Sequence, residues 1–184
     1  MDLWVIVVIV VVVLLGFYVV SVYNSLVNLR NKVKDQYSQI DVELKRRFDL
    51  VPNLVETVKG YAKHEKETLE NVVSARNSYV SANDLGDKLK ADGELTQAIS
   101  KLFALTESYP DLKANTNFNS LQSELSEIEQ KIVYARQFYN EAVLKLNNKI
   151  EMFPSNIIAK MFNFKQEVFF EVAEAERENV KVKF

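Results

Sequence analysis

A run of residues without a charged side chain limits what this chain can fold into more than any other feature. From Leu3 to Val22 no residue is charged, and the run includes the apolar stretch VIVVIVVVVLLGFYVV. At about 1.5 Å per residue a helix of that length measures about 30 Å, which matches the hydrocarbon core of a bilayer. A bilayer also forces a spanning segment to satisfy its own backbone hydrogen bonds, so the many valines are no obstacle to a helix. We therefore predict a transmembrane anchor over residues 1–22.

Aromatic residues stand where such an anchor would meet the two membrane interfaces. Trp4 lies at one end of the run, and Tyr18 and Tyr23 lie at the other, with Gly16 inside it. A cleaved signal peptide is the alternative interpretation. The anchor is favoured, because no basic segment precedes the run, the apolar stretch is too long and no A-x-A-like site follows it.

Basic residues near the ends of the run predict its orientation. None precedes it, whereas Arg30, Lys32 and Lys34 follow it closely, partly offset by Asp35. Positively charged flanks favour the cytoplasmic side of a membrane. The sequence therefore predicts a single-pass protein of the cell membrane, with the N-terminus outside and the C-terminal domain in the cytoplasm.

Beyond the anchor, apolar residues recur every three or four positions, which is typical of amphipathic helices. The first stripe comprises Leu26, Leu29, Val33, Tyr37, Ile40, Leu44 and Phe48. No Gly or Pro separates it from the anchor, so we expect one continuous helix up to a break at Val51-Pro52, because proline disfavours α geometry in the residue before it.

The rest of the chain is predicted to form three more helices. The second carries apolar residues from Leu54 to Tyr79, a loop covers Ser81 to Gly93, and a shorter helix follows from Leu95 to Leu105. The fourth has the most regular spacing, typical of coiled-coil-like packing, at Phe118, Leu121, Leu125, Ile128, Ile132, Ala135, Tyr139, Ala142, Leu146 and Ile150. With only 4 Gly and 3 Pro, an all-β fold is disfavoured. We expect an all-α fold in which residues 23–184 form a long antiparallel helical bundle continuous with the anchor.

The segment after Ile150 should return to the membrane end of this bundle, and it is rich in aromatic residues. They are Phe153, Phe162, Phe164, Phe169 and Phe170. One interpretation is that they close the open end of the bundle. The other is that they form a membrane contact or a subunit interface.

Two further groups suggest contacts. The fourth helix also carries Val133, Tyr134, Phe138 and Val143, which either widen a buried face or form an interface between identical subunits. The basic cluster Lys45, Arg46 and Arg47 lies too far from the bilayer for lipid binding, since Lys45 is about 35 Å beyond the hydrocarbon edge along an upright helix. We expect these side chains to pair with carboxylates of another helix or subunit, or to face water.

Residues that could support catalysis are few. His64 is the only histidine, and the position four residues later, where a zinc motif needs its second histidine, is Thr68. We therefore interpret His64 as a solvated residue on a helix surface. There are no cysteines and no glycine-rich phosphate loop, and the net charge of -2 does not favour nucleic acid. No enzyme activity, metal or cofactor is predicted.

Four stretches have a distinctive residue order: YNSLVNLRNKVKDQYSQIDVELKRRFDLVPNLVETVKGYAKHEKETLENVVSARN, YPDLKANTNFNSLQSELSEIEQKIVYARQFYNEAV, FPSNIIA and VFFEVAEAERENVKVKF. Through them the chain resembles the LemA family over nearly its whole length from Tyr23 onward. Two departures are small. Asn179 stands where many members have a proline, and Ser81 to Ser100 fits no fixed pattern.

The resemblance implies a membrane-anchored, mostly antiparallel helical bundle without an established enzymatic activity, in a family often associated with membrane-bound assemblies or membrane protein quality control. We expect a scaffold that binds the lipid bilayer and associates with itself to organise or remodel the membrane. An adaptor that delivers other membrane proteins to a quality-control complex is the alternative. An enzyme is a third class, with no catalytic constellation behind it.

Overall fold

The computed structural model describes residues 2–82 and 85–170, and within them it contains helices and no strand. The helices are α1 (Leu3–Lys59), α2 (Lys66–Ser81), α3 (Leu85–Thr106), α4 (Pro110–Lys113), α5 (Thr116–Glu151) and α6 (Ser155–Met161). The all-α prediction is confirmed. The chain divides into two compact units, and α1 and α5 contribute to both.

The first helix continues past the predicted break. α1 runs unbroken from the apolar run through Pro52 to Lys59, so the continuity of anchor and domain is confirmed and the break at Val51-Pro52 is wrong. Proline is tolerated because it lies on the exposed side of the helix, while Val51 and Leu54 on either side of it are fully buried. Burial of these neighbours outweighs the local cost of the proline.

Pro52 has no amide proton, so it cannot donate to the carbonyl oxygen of Phe48 four residues earlier. The side chain of Arg76 in α2 replaces this donor, with its Nε 3.2 Å from that oxygen. Tyr79, one turn further along α2, stacks on the Phe48 ring at a centroid distance of 3.7 Å. α1 therefore continues past its proline because a side chain of α2 supplies the missing hydrogen-bond donor.

A turn over residues 60–65 separates α1 from α2. The predicted second helix from Leu54 to Tyr79 is therefore two segments, one belonging to α1 and the other forming α2. His64 is exposed as expected, but it lies in this turn and not on a helix surface. Two side-chain hydrogen bonds stabilise the turn: the Tyr109 hydroxyl donates to the Glu65 carboxylate at 3.0 Å, and the Asn115 amide donates to the Tyr61 hydroxyl at 2.8 Å.

The larger unit comprises residues 41–133 and 172–184, of which residues 41–82 and 85–133 are described. In it the end of α1, α2, α3 and the first half of α5 pack side by side. Side-chain contacts show how the helices run. Asp41 of α1 contacts Tyr79 near the end of α2 and Lys88 near the start of α3, and Arg47, further along α1, contacts Asp92, further along α3. α3 thus runs parallel to α1 and antiparallel to α2. The core is formed by apolar side chains from all four helices, including Leu44, Val58, Val72, Leu95, Leu102, Phe118, Leu125 and Ile128.

The predicted loop from Ser81 to Gly93 is largely wrong. α3 begins at Leu85 and includes both Gly86 and Gly93, while Asn83 and Asp84 lie outside the described residues. Asp92, read as part of a turn, is buried and accepts a hydrogen bond from Arg47 of α1 at 2.9 Å. This ion pair between helices favours the helical state over the turn that the local residues suggest.

The smaller unit consists of residues 1–40 and 134–171, of which residues 2–40 and 134–170 are described. α1 and α5 pack antiparallel in it, because Tyr37 meets Tyr139 while Tyr23 meets Phe162, beyond the end of α5. The core between them contains Val22, Leu26, Val33 and Ile40 from α1, and Tyr139, Ala142, Val143 and Leu146 from α5. α6 follows a tight turn, and residues 164–170 are neither helix nor strand.

Candidate functional site

The candidate site is the surface of the smaller unit, which begins with the apolar part of α1. This helix is long and apolar enough to cross a membrane, and only 6% of its apolar stretch is buried. A helix from the core of a soluble domain would be mostly buried. Trp4, Tyr18 and Tyr23 are exposed, and a side chain at Gly16 would meet no atom within 4 Å. The segment fits a single-pass membrane protein.

Aromatic residues from the C-terminal segment pack on α1 directly after this span. The ring of Tyr23 lies 4.7 Å from that of Phe162 and 5.9 Å from that of Phe164, measured between centroids. The Arg30 guanidinium carbon lies 5.2 Å from the Phe164 ring centre, a distance at which a cation is attracted to an aromatic face. The segment after Ile150 thus returns to the end of the predicted anchor, as expected.

The five aromatic residues of this segment do not share one environment. Phe170 is buried, with its ring at right angles to Tyr139 and 4.7 Å away, and Phe164 is half-buried. Phe153 is 80% exposed, and Phe162 and Phe169 are also exposed. The segment therefore contains residues that close the unit and residues that remain available for a contact.

Residues 164–170 are held by side chains of α5 that the sequence patterns did not single out. Asn140 both donates to the carbonyl oxygen and accepts from the amide of Phe170, at 3.0 and 2.8 Å. Asn147 makes the same pair of bonds with Glu167, at 2.9 and 3.0 Å. Seven helical residues and three extended residues both span about 10 Å, so the two amides match an extended backbone. The sequence held one signal for this contact. Asn140 and Asn147 are seven residues apart inside a predicted helix, although asparagine is a weak helix former.

Tyr139 adds a third hydrogen bond to this segment. Its hydroxyl donates to the carbonyl oxygen of Val168 at 3.0 Å. Burial raises the pKa of the Tyr139 phenol, and the negative charge of Glu167 and then the neighbouring Tyr37 raise it further. The phenol stays protonated and able to donate over a wide pH range.

The additional apolar residues of α5, namely Val133, Tyr134, Phe138 and Val143, also differ in burial. Val143 is fully buried, whereas Val133 is exposed, and Tyr134 and Phe138 are 58% and 57% exposed. The interpretation that all four lie inside the bundle is therefore wrong for three of them. Tyr134 and Phe138 are four residues apart, so their rings lie on one ridge of the helix.

A surface cavity of about 290 Å³ lies beside Phe138. Its lining comes from α1 and α5: Lys32, Gln36, Phe138, Glu141, Ala142 and Lys145. The hydrogen bond from Lys145 lowers the pKa of Glu141, and the charges of Lys145 and Lys32 add to this effect. Next to the exposed rings there is thus an open hollow with an ionised carboxylate and two cations.

The basic cluster lies in the larger unit, and each of its side chains has a different environment. Lys45 is exposed, and Arg46 bonds Glu124 of α5 at 2.8 Å at the surface. Arg47 is buried and pairs with Asp92 at 2.9 Å and Glu129 at 2.7 Å, joining α1 to α3 and α5. In this chain Arg46 and Arg47 are engaged by carboxylates of its own helices. Within residues 2–82 and 85–170, no three His, Asp or Glu side chains lie together as a metal site would require.

Comparison with known proteins relates the chain to one family. The profile of the LemA family matches residues 36–184. A protein named LemA from Metamycoplasma hominis is 27% identical over 167 residues, which cover 89% of this chain and 76% of that protein.

Magnetosome proteins are also similar. Magnetosome protein MamQ 2 of Paramagnetospirillum magneticum is 26% identical over 175 residues, covering 81% of this chain. Magnetosome protein MamQ of Magnetospirillum gryphiswaldense is 24% identical over 174 residues, covering 80% of this chain. The chain spans 64% of the length of these MamQ proteins.

Proposed function

Because this chain belongs to the LemA family, we propose that it is a membrane-anchored helical scaffold without enzymatic activity, which associates with itself in the plane of the bilayer and so organises or remodels the membrane. The observation that carries this proposal is the exposed aromatic pair Tyr134 and Phe138 on α5. The names of the magnetosome relatives support a part in a larger cellular structure.

The position of the pair favours a contact between proteins. Both rings belong to the interior of a helix of 36 residues, away from its ends. Aromatic side chains contribute strongly to the free energy of binding when a partner buries them, because they have a large apolar surface. A ring that stays in water makes no such contribution. The cavity beside Phe138 offers a hollow of the sort that a ring from a partner can enter.

A second copy of the chain is the partner that these features fit. Each copy carries both the protruding rings and the cavity, as a two-fold contact requires. The rim also carries both signs of charge, with Glu141 paired to Lys145 on α5 and Lys32 contributed by α1, so the surface does not repel a second copy. An anchor in one bilayer confines the copies to a plane, which raises their effective concentration and makes a weak lateral contact sufficient.

The experiment is a mass measurement on the full chain in mild detergent and in lipid vesicles, over a range of protein concentrations. We expect particles larger than a monomer. Replacing both rings, Tyr134→Ser with Phe138→Ser, should raise the dissociation constant at least about tenfold, since a truncated aromatic anchor costs more than about 1 kcal/mol. Val80→Ser removes a similarly exposed apolar side chain from α2 and serves as the control.

A wild-type chain that stays monomeric in vesicles at every concentration contradicts the scaffold. So does a double variant that assembles like the wild type. Vesicles that keep their size and shape when assembled protein is present contradict the remodelling part of the proposal alone.

An adaptor for other membrane proteins is the second candidate, and a groove in the larger unit favours it. The groove measures about 860 Å³ and lies between the end of α1 and α2. Val55, Leu69 and Val73 form its apolar lining. Its charged lining is mixed, because Lys59 pairs with Glu56 at 3.3 Å and Lys66 with Glu70 at 3.6 Å, and Lys63 adds one further basic side chain. The apolar face of an amphipathic helix has the matching chemistry. A defined complex between monomeric chain and another membrane protein, lost on replacing the exposed Val73 with serine, would select the adaptor.

A further inference from the structure

The short helix α6 has two apolar faces. On one face Ser155, Ile158 and Ala159 are buried against the rest of the smaller unit. On the other, Ile157 and Met161 are 56% and 62% exposed. Met152 and Phe153 in the preceding turn and Phe162 after the helix are exposed as well. A helix covered by a protein on one side and by water on the other would carry polar residues on its outer face.

Contacts with α1 place this outer apolar face beside the end of the membrane span. Phe162 follows α6 directly, and its ring packs on Tyr23 at 4.7 Å. Tyr23 is the residue after Val22, the last residue of the predicted anchor. The exposed side chains of α6 are therefore adjacent to the level at which α1 leaves the hydrocarbon.

We propose that α6 and its flanking turns lie on the bilayer surface, with Phe153, Ile157 and Met161 inserted at the boundary between the headgroups and the acyl chains. This inference rests on the membrane anchor of the proposed function. It adds a second point of attachment, formed by residues more than 130 positions later in the chain (Tyr23 to Ile157).

A lipid surface fits this face better than a second protein copy. Interfacial helices bury their apolar side only about 5–10 Å into the membrane, a depth that side chains next to the end of a span can reach. Lys160 and Lys165 are exposed on either side of Phe162. Long basic side chains at such a position can extend to lipid phosphates while their stems stay among apolar groups.

Two-point attachment has a mechanical consequence. A single spanning helix leaves the attached domain free to rotate about the helix axis and to tilt. A second contact, formed by α6 against the lipid, fixes the rotation of the smaller unit relative to the membrane surface. Lateral contacts through Tyr134 and Phe138 would then occur in one orientation, as an ordered array requires.

The test uses the full chain, which contains no cysteine. Single variants Ile157→Cys, Gln137→Cys and Val12→Cys are labelled with an environment-sensitive fluorophore. They are placed in vesicles of phosphatidylcholine with about 30% phosphatidylglycerol, which supplies an anionic surface. Lipids with nitroxides at known depths then quench each label. Gln137 is exposed on α5, about 21 Å along the helix from its end at Glu151, and is the aqueous control.

We expect the label at Ile157 to be quenched by shallow nitroxides about fivefold more than the label at Gln137, as for an interfacial helix. The label at Val12 should respond to deep nitroxides. Replacing Met161 and Phe153 with serine should return the Ile157 label to the aqueous control value, while Val12 stays deep.

The outcomes separate the inference from the proposed function. If Val12 is deep but Ile157 matches Gln137, the surface contact of α6 is wrong and the anchor stands. If Ile157 is shielded from water, unaffected by lipid nitroxides and quenched by a second labelled chain, another copy covers α6 and the inference is overturned. If Val12 itself is not quenched by lipid, the anchor fails, and with it both proposals.

Discussion

The carbonyl oxygen of Phe48 shows how single residues determine the continuity of the longest helix. Pro52 removes its normal donor, and Arg76 supplies another from α2. A buried or half-buried carbonyl without a donor costs about 1–3 kcal/mol. The arginine therefore compensates the proline, and the two residues should be energetically coupled.

Replacing Arg76 with methionine should lower the free energy of unfolding by about 1–2 kcal/mol, because the Phe48 carbonyl loses its donor. In the Pro52→Ala background the same change should cost less, since residue 52 can then donate its own amide. Denaturant unfolding of the four proteins measures the coupling. Lys101→Met, at an exposed position of α3, is the control for loss of a charge. Equal costs of Arg76→Met in both backgrounds would refute the compensation.

Tyr139 is a second single residue with a defined effect, because its contribution to the free energy of unfolding depends on pH. Its pKa is raised in the folded state by burial first and by Glu167 and Tyr37 next. The stabilisation is thus fully present below the ordinary tyrosine pKa of about 10 and is lost as the pH rises through the higher folded value. Ionised Tyr139 can no longer donate to Val168.

We therefore expect the denaturation midpoint of the wild type to fall more steeply above pH 10 than that of Tyr139→Phe. At neutral pH the variant should be about 1 kcal/mol less stable, because the Val168 carbonyl loses a partner. Other tyrosines and lysines titrate in both proteins, so the difference between the two curves isolates Tyr139. Parallel curves would contradict this role of the phenol.

At the scale of the element, α3 shows a helix held by its neighbours against its own residues. Gly93 lies inside it, and glycine is about 1 kcal/mol less favourable than alanine in a helix interior. A Cβ atom at this position would meet nothing within 4 Å. The glycine is therefore a cost without a packing benefit.

The Gly93→Ala variant should raise the free energy of unfolding by about 0.5–1 kcal/mol. Thermal or denaturant unfolding measures the change. Gly60→Ala is the matched control, because Gly60 lies in the turn after α1 and its substitution does not improve a helix interior. Destabilisation by Gly93→Ala would show that α3 needs the glycine for a reason other than space.

For the whole molecule, the span and the basic residues that follow it predict on which side of the membrane each part lies. Arg30, Lys32 and Lys34 favour a cytoplasmic location for everything beyond the anchor. In intact cells, Asp2→Cys should react with a membrane-impermeant maleimide. Ser108→Cys, exposed in the turn before α4, should react only after the cells are permeabilised. The reverse pattern of labelling would invert the predicted orientation.

The sequence by itself determined the helical class, the apolar span and the faces of α1 and α5, because these depend on a periodicity that repeats over many residues. The core stripe from Phe118 to Leu146 was predictable in this way, with Ile128, Ile132 and Tyr139 buried as expected.

Only the tertiary structure decided where local preferences are overruled. Turn signals at Val51-Pro52 and Asp92-Gly93 amount to a few kcal/mol at most, and partners distant in sequence outweigh them: Arg76 for one and Arg47 for the other. The same holds for the aromatic residues, since Phe169 and Phe170 are neighbours in sequence but only Phe170 is buried. The span at Tyr23 was readable from composition, whereas its contact with Phe162 required the folded chain, because no local pattern records which distant surface a helix end will meet.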